Sequence, residues 1–141
     1  MKNCLSFDDV LLLPKYSEVT SRKEISLERK LQNDLEFSLP IISSPMDTVT
    51  EVAMAVEMSA LGGLGIIHRY NSPDEQARLV QESVSSSANS KNGIVGFAVG
   101  VGDDMLERTK KCLNAGASVV CIDIAHGHHA LMRHALKVLR N

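Results

Sequence analysis

Four times along the chain a short apolar run gives way to a polar turn and then to a stretch with helical spacing. The runs are Leu39 to Ile42, Leu64 to Ile67, Ile94 to Val99 and Val119 to Ile124. Branched apolar residues in succession, without alternation, mark strands covered on both faces. A helix signal follows each run. Thr48 and Glu51 form a T-x-x-E capping box ahead of a helix over Val52 to Leu61, and Gly62-Gly63 closes it. Ser72, Pro73 and Glu75 supply an N-cap, a first-turn proline and a carboxylate for a helix from Pro73 to about Val84. Met105 to Asn114 forms the third helix, closed by Gly116. Ala130 to Arg140 has apolar residues at 131, 135 and 138 and a second line at 132, 136 and 139, the stripe of a packed helix.

Strand and helix alternate at intervals of about 25 to 30 residues, the size of a βαβ unit. The fold class expected is therefore α/β, built of parallel (βα) units. With right-handed crossovers, every strand ends on the same side, so Ser44, His68, Gly100 and His126 share one rim. Four strands and four helices amount to the first half of a TIM (β/α)8 barrel. Either the half barrel stands open, or it pairs with a partner, or the chain is a piece of a longer one. Residues 1–38 read as an N-terminal arm, residues 39–141 as the four βα units of a single partial domain. Ser83 to Gly93 is a Ser/Asn-rich surface loop. Open sheet edges would promote self-association.

Composition narrows the function classes. The 141 residues are 44% hydrophobic with a net charge of -2, and Lys and Arg are scattered, which argues against binding to nucleic acid or a membrane surface. Cys4, Cys112 and Cys121 are odd in number and too far apart for a disulfide framework, which suits a reducing compartment, and each reads as a small buried hydrophobe. The N-terminus lacks the pattern of a signal peptide, and no apolar run approaches the ~20 residues of a membrane span. A soluble, cytoplasmic protein is expected. The glycines make no G-x-G-x-x-G fingerprint in a strand-turn-helix context.

Several residues carry candidate chemistry. Ser44 and Met46 flank Pro45 at a strand end beside a helix N-terminus, a place for a phosphate or purine; as structural residues they would cap and pack. Asp123 ends the fourth apolar run, and a carboxylate there requires a partner or a ligand, or stands as a helix-rim residue. His126, His128 and His129, with His134 beyond, place an H-x-H pair at a strand end, as in barrel-type metal-dependent hydrolases. Such a site needs further ligands, and His68 is the only other histidine, so no metal site is assigned and a solvated or ligand-lining turn is preferred.

FDDVLL, SSPMDTVTE and GGLGIIH, in this order along the arm and strands, resemble the IMP dehydrogenase and GMP reductase family of purine-nucleotide oxidoreductases, over the front part of such an enzyme. The resemblance implies that Ser44 and Met46 contact the bound nucleotide, IMP or GMP. It implies that Asp123, followed by Ile124 and Ala125, binds the nicotinamide-ribose end of NAD or NADP, with His68 and Arg69 near that cofactor. Ser21 and Arg22 resemble the Ser-Arg pair that approaches the cofactor phosphate in the reductases, and equally suit a solvated loop. A monovalent cation and a homo-oligomer, a tetramer, belong to the same family picture. Its nucleophilic cysteine lies on a loop that none of Cys4, Cys112 and Cys121 matches, so no catalytic residue is assigned and the chain alone is expected to be inactive.

MDTVTE and GGLGIIH lean towards the dehydrogenase, which converts IMP to XMP with NAD. Ser21-Arg22, the short Ser83 to Gly93 connection and IDIA lean towards the reductase, which converts GMP to IMP with NADPH. The dehydrogenase is favoured. A non-catalytic half barrel that binds a nucleotide or regulates a relative, and a zinc hydrolase dependent on His126 and His128, are the readings from other classes.

Overall fold

A computed structural model describes residues 4–30 and 35–140. The portions of the expected arm at 1–3 and 31–34, and the last residue of the final βα unit, lie outside the described residues. Two short antiparallel strands, β1 (Arg29–Lys30) and β2 (Glu36–Phe37), come first. The main body is β3 (Ile42–Ser43), α1 (Val52–Leu61), β4 (Leu64–Ile67), α2 (Pro73–Ser86), β5 (Val95–Val99), α3 (Met105–Asn114), β6 (Val119–Ile122) and α4 (Ala130–Leu139). β3, β4, β5 and β6 are adjacent in that order and all parallel, the arrangement of half a TIM barrel.

The two faces of the sheet have different neighbours. Ile67, Val95, Phe97 and Val99 point to the helices, where they meet Leu79, Val80, Met105 and Cys112. Leu64, Ile66 and Ala98 point the other way and are buried against Phe37, with Leu35, Ile94, Val119 and Cys121 alongside. The β1–β2 pair thus carries Phe37 onto the concave face. Phe37, between Glu36 and Ser38, stands in too short a stretch for its periodicity to announce this. Close contact of helix and sheet depends on Gly65, where a Cβ would come within 2.5 Å of the Ala55 Cα.

Several expectations need correction. The first strand is only Ile42–Ser43 rather than Leu39 to Ile42, because Leu39 N–H turns to Gly62 O, although Ile41 O still accepts from Leu64 N–H. The Thr48–Glu51 capping box does not form. Glu51 occupies the N-cap position of α1 without a side-chain cap, and its carboxylate is taken by His68. β6 stops at Ile122 and, as the outer strand, is only partly covered, so it is not the doubly buried strand its apolar run suggested. Only Ala135 of α4 is fully buried, while Leu131 and Leu136 are exposed. The Ser83 to Gly93 surface loop is in part helix, since α2 continues to Ser86 and both Ser83 and Ser87 are buried. Ser59 donates to Asn92 Oδ1, and Asn92 donates to Gly63 O at 2.8 Å, tying this connection to the end of α1.

The arm from Cys4 to Lys30 is exposed throughout, with Phe7, Leu11 and Leu12 almost wholly so. Cys4 is therefore not a buried hydrophobe, whereas Cys112 is buried and Cys121 half-buried. Among the described residues no helix is long and apolar enough to cross a membrane.

Candidate functional site

Parallel strands bring the residues after β3, β4, β5 and β6 to one edge of the sheet. Ser44 and Met46 occupy the turn after β3, and their backbone is folded tightly. Met46 N–H donates to Ser44 O at 2.8 Å, and Met46 O accepts from both Val49 and Thr50 N–H. Thr50 holds the turn from below: fully buried, its hydroxyl lies 2.6 Å from Ser44 O and 2.9 Å from Ser43 Oγ. The sequence reading passed over Thr50, since a threonine before a helix looks like an ordinary cap. The pinned turn leaves the Ser44 side chain exposed and Met46 half exposed.

After β4 the chain runs through His68, Arg69 and Tyr70. His68 is buried; its Nδ1 accepts from Tyr70 N–H at 3.1 Å, which assigns the ring proton to Nε2, 3.2 Å from Glu51 Oε1. The Tyr70 ring stacks beside that of His68, and the Arg69 guanidinium lies over Tyr70.

Arg69 Nε donates to Asp123 Oδ2 at 3.1 Å, reaching from the end of β4 across β5 to the end of β6. The side chain passes closely over Gly100, where a Cβ would stand 3.3 Å from an Arg69 terminal nitrogen. Both side chains are about one-third exposed, at 34% and 33%. A pair so screened is worth at most ~1 kcal/mol, so its consequence is where it puts the two groups rather than how strongly it binds them. Asp123 stands one residue beyond β6, and the Cys121 thiol two positions before it is pushed up by burial and by the Asp123 charge.

The other candidates stand apart from this cluster. Ile124 and Ala125 follow Asp123 directly, half-buried and exposed respectively. Ser21 and Arg22 sit on the exposed arm and make local bonds, Ser21 Oγ accepting from Lys23 N–H and Arg22 O from Ile25 N–H. His126 lies four positions beyond the end of β6, in an exposed turn past the strand-end edge where Asp123 stands. The His126 ring meets His128 and His129 edge-on at 6.4 Å, and His129 Nδ1 accepts from Leu131 N–H as the N-cap of α4. Among the described residues there is no group of three or more His, Cys, Asp or Glu arranged to hold a metal.

The cysteines differ in reactivity. Burial pushes the Cys112 thiol up to about 11. Its folded value lies above the ordinary ~8.5 of an unfolded thiol, so its contribution to stability is complete below that pH and is lost as pH rises towards 11. Denaturant titrations from pH 8 to 11 should show stability declining, with a shallower decline in Cys112→Ala. Equal slopes would mean that other groups cause the loss. In native protein a thiol reagent should label Cys4 first and Cys112 last.

Fold and rim together define an α/β protein of half-barrel type with its polar side chains collected at the C-terminal strand ends, the side on which (β/α)8 enzymes bind their ligands. The chain belongs to the IMP dehydrogenase / GMP reductase family: the model of that domain matches residues 4–141. Inosine-5'-monophosphate dehydrogenase of Cryptosporidium parvum is 35% identical over 175 residues, covering 97% of this chain and 43% of that protein. The enzymes of the same name from Nitrosopumilus maritimus (strain SCM1) and Bacillus subtilis (strain 168) are 52% identical over 79 residues and 46% over 94. These matches cover 56% and 67% of this chain and 17% and 18% of the relatives. The chain thus spans less than half the length of each of these relatives.

Proposed function

We propose that the protein carrying this chain is an IMP dehydrogenase-type oxidoreductase that converts IMP to XMP with NAD. Ser44 and Met46 would hold the purine nucleotide. Asp123, with Ile124, Ala125, His68 and Arg69 around it, would hold the nicotinamide-ribose end of the dinucleotide, and Ser21 and Arg22 of the arm its phosphate. NAD supplies the hydride acceptor. The chain's own residues position the two ligands, and no nucleophile is assigned to it. Self-association belongs to the same reading, supported by the exposed Phe7, Leu11 and Leu12 of the arm.

One observation carries this reading. The Ser44 turn and the Asp123 carboxylate stand on the same edge of one parallel sheet, separated by three strand steps. At ~4.8 Å per step the separation along the sheet is about 14 Å, too far for one small molecule and suited to a nucleotide and a nicotinamide ribose lying side by side.

Calorimetric titration with IMP and with NAD tests it. IMP should bind the unaltered protein and Asp123→Asn alike, whereas NAD affinity should fall roughly tenfold in the variant, the loss of one charge-assisted hydrogen bond. Absence of IMP binding would sink the proposal, and preference for GMP with NADPH would move it to the reductase reaction.

A further inference from the structure

Beneath the rim lies a buried polar network that no ligand contact explains. Gln76, in the first turn of α2, is fully buried. Its Nε2 faces three carbonyl oxygens, Ile67 O at 3.2 Å, His68 O at 2.9 Å and Ala98 O at 2.8 Å. Its Oε1 accepts from Arg108 of α3 at 3.0 Å. Arg108, 5% exposed, also donates to Asn71 O at 2.9 Å and to Asn71 Oδ1 at 3.3 Å, and grips the Asp104 carboxylate through Nε and a terminal nitrogen at 3.0 and 2.7 Å.

These bonds fall at particular places. Ile67 and His68 immediately precede Arg69, and Asn71 follows it by two positions. Ala98 precedes Gly100, over which the Arg69 side chain passes, by two. The backbone carrying Arg69 is therefore tied on both sides, and the strand end that Arg69 crosses is tied to the same amide.

We propose that Gln76 and Arg108 are positioning residues, a latch between α2 and α3 that sets the loop after β4 so that Arg69 meets Asp123 across Gly100. A helix–helix tie with no hold on the rim would need bonds to α2 and α3 only. Here the Gln76 amide goes to the ends of β4 and β5, and Arg108 adds two bonds to Asn71 in the loop after β4. Asp104, half exposed, orients the guanidinium through its Oδ2, which accepts from both Nε and a terminal nitrogen, an orientation a single ammonium does not fix. The inference builds on the rim described above and gives the proposed cofactor side of the site its geometry.

The test follows the Arg69 Nε–H by nitrogen-15 NMR in the intact protein, assigned by its disappearance in Arg69→Lys. A hydrogen-bonded Nε–H exchanges slowly with water, and Asp123→Ala, which removes the acceptor, gives the rate of the released side chain. Arg108→Lys, which keeps the charge, and Gln76→Met, which keeps the volume, should each raise the Arg69 exchange rate roughly tenfold. The amides of Phe97 and Val99 should stay protected, and the Nε–H of Arg78, bonded to Glu75 on the exposed side of α2, should stay unchanged. Asp104→Asn, altering only the half-exposed end of the network, should produce a smaller rise of about threefold and serves where the buried variants fail to fold. Unchanged Arg69 exchange in a folded variant overturns the latch. IMP and NAD titrations on the same samples report separately on the proposed function, so a latch that holds in a protein that binds neither would leave this inference standing and remove the other.

Discussion

Phe97→Ala should lower the free energy of unfolding by about 3 to 5 kcal/mol, measured by urea titration. Phe97 is completely buried at the centre of β5, packed from the sheet onto the layer that Leu79, Val80, Met105 and Cys112 contribute from α2 and α3. Truncation removes a ring and leaves a cavity between a sheet and two helices held by many other contacts, so collapse cannot fill it. A domain of this size is stable by ~7 to 20 kcal/mol, so the loss is about 15% of the total at the least. The transition midpoint should move with little change in slope. A loss below ~1 kcal/mol would mean that the α2–α3 layer is not packed on the sheet as described.

Arg108→Met should cost a similar ~3 to 5 kcal/mol, for a different reason. The lost guanidinium serves Gln76 Oε1 and both oxygens of Asn71. Gln76 Oε1 keeps only the weak Cys112 thiol at 3.6 Å. Gln76 Oε1, fully buried and left without its strong donor, carries its desolvation penalty, the half-buried Asn71 oxygens carry less, and Asp104, half exposed, returns to water at little cost. Replacing Gln76 as well, in Gln76→Met/Arg108→Met, removes the orphaned Oε1 but strips the amide from Ile67 O, His68 O and Ala98 O, and the two costs should combine non-additively because the side chains share a bond. Strict additivity in that cycle would argue that the two side chains are energetically independent. Stability and rim geometry are separate readouts: the methionine variant measures what the network contributes to the fold, and Arg108→Lys what it contributes to Arg69.

The βα alternation was legible because parallel strands covered on both faces write themselves as unbroken apolar runs. β4 and β5 follow that rule, every residue of each being buried. β3 and β6 departed from it as the outer strands, since an apolar run records the tendency to be covered and not whether a neighbour is present. The α1 cap was misread for a related reason. Thr48-x-x-Glu51 has the right spacing, but His68, sixteen positions after Val52 in the chain, takes the Glu51 carboxylate, and Thr50 turns inward to hold Ser43 and Ser44.

At the rim, Ser44, Met46, His68, Arg69 and Asp123 could each be placed at a strand end from the chain alone. Their pairing could not. The contact between Arg69 and Asp123 spans 54 positions and passes over a glycine just beyond the strand between them, and nothing local in either segment announces it. Gln76 and Arg108 were equally invisible, because a glutamine in a first helical turn and an arginine on an amphipathic helix ordinarily face water.

The sequence by itself determined the parallel βα order, the helix spans and the side of the sheet on which the polar residues gather, since these follow from local periodicity, caps and the handedness of crossovers. Only the tertiary structure decided which carboxylate each cation meets, which polar side chains go inside, and that β1 and β2 bring Phe37 onto the concave face. Those outcomes depend on distances between segments far apart in the chain, where burial makes one well-placed partner worth more than any local preference.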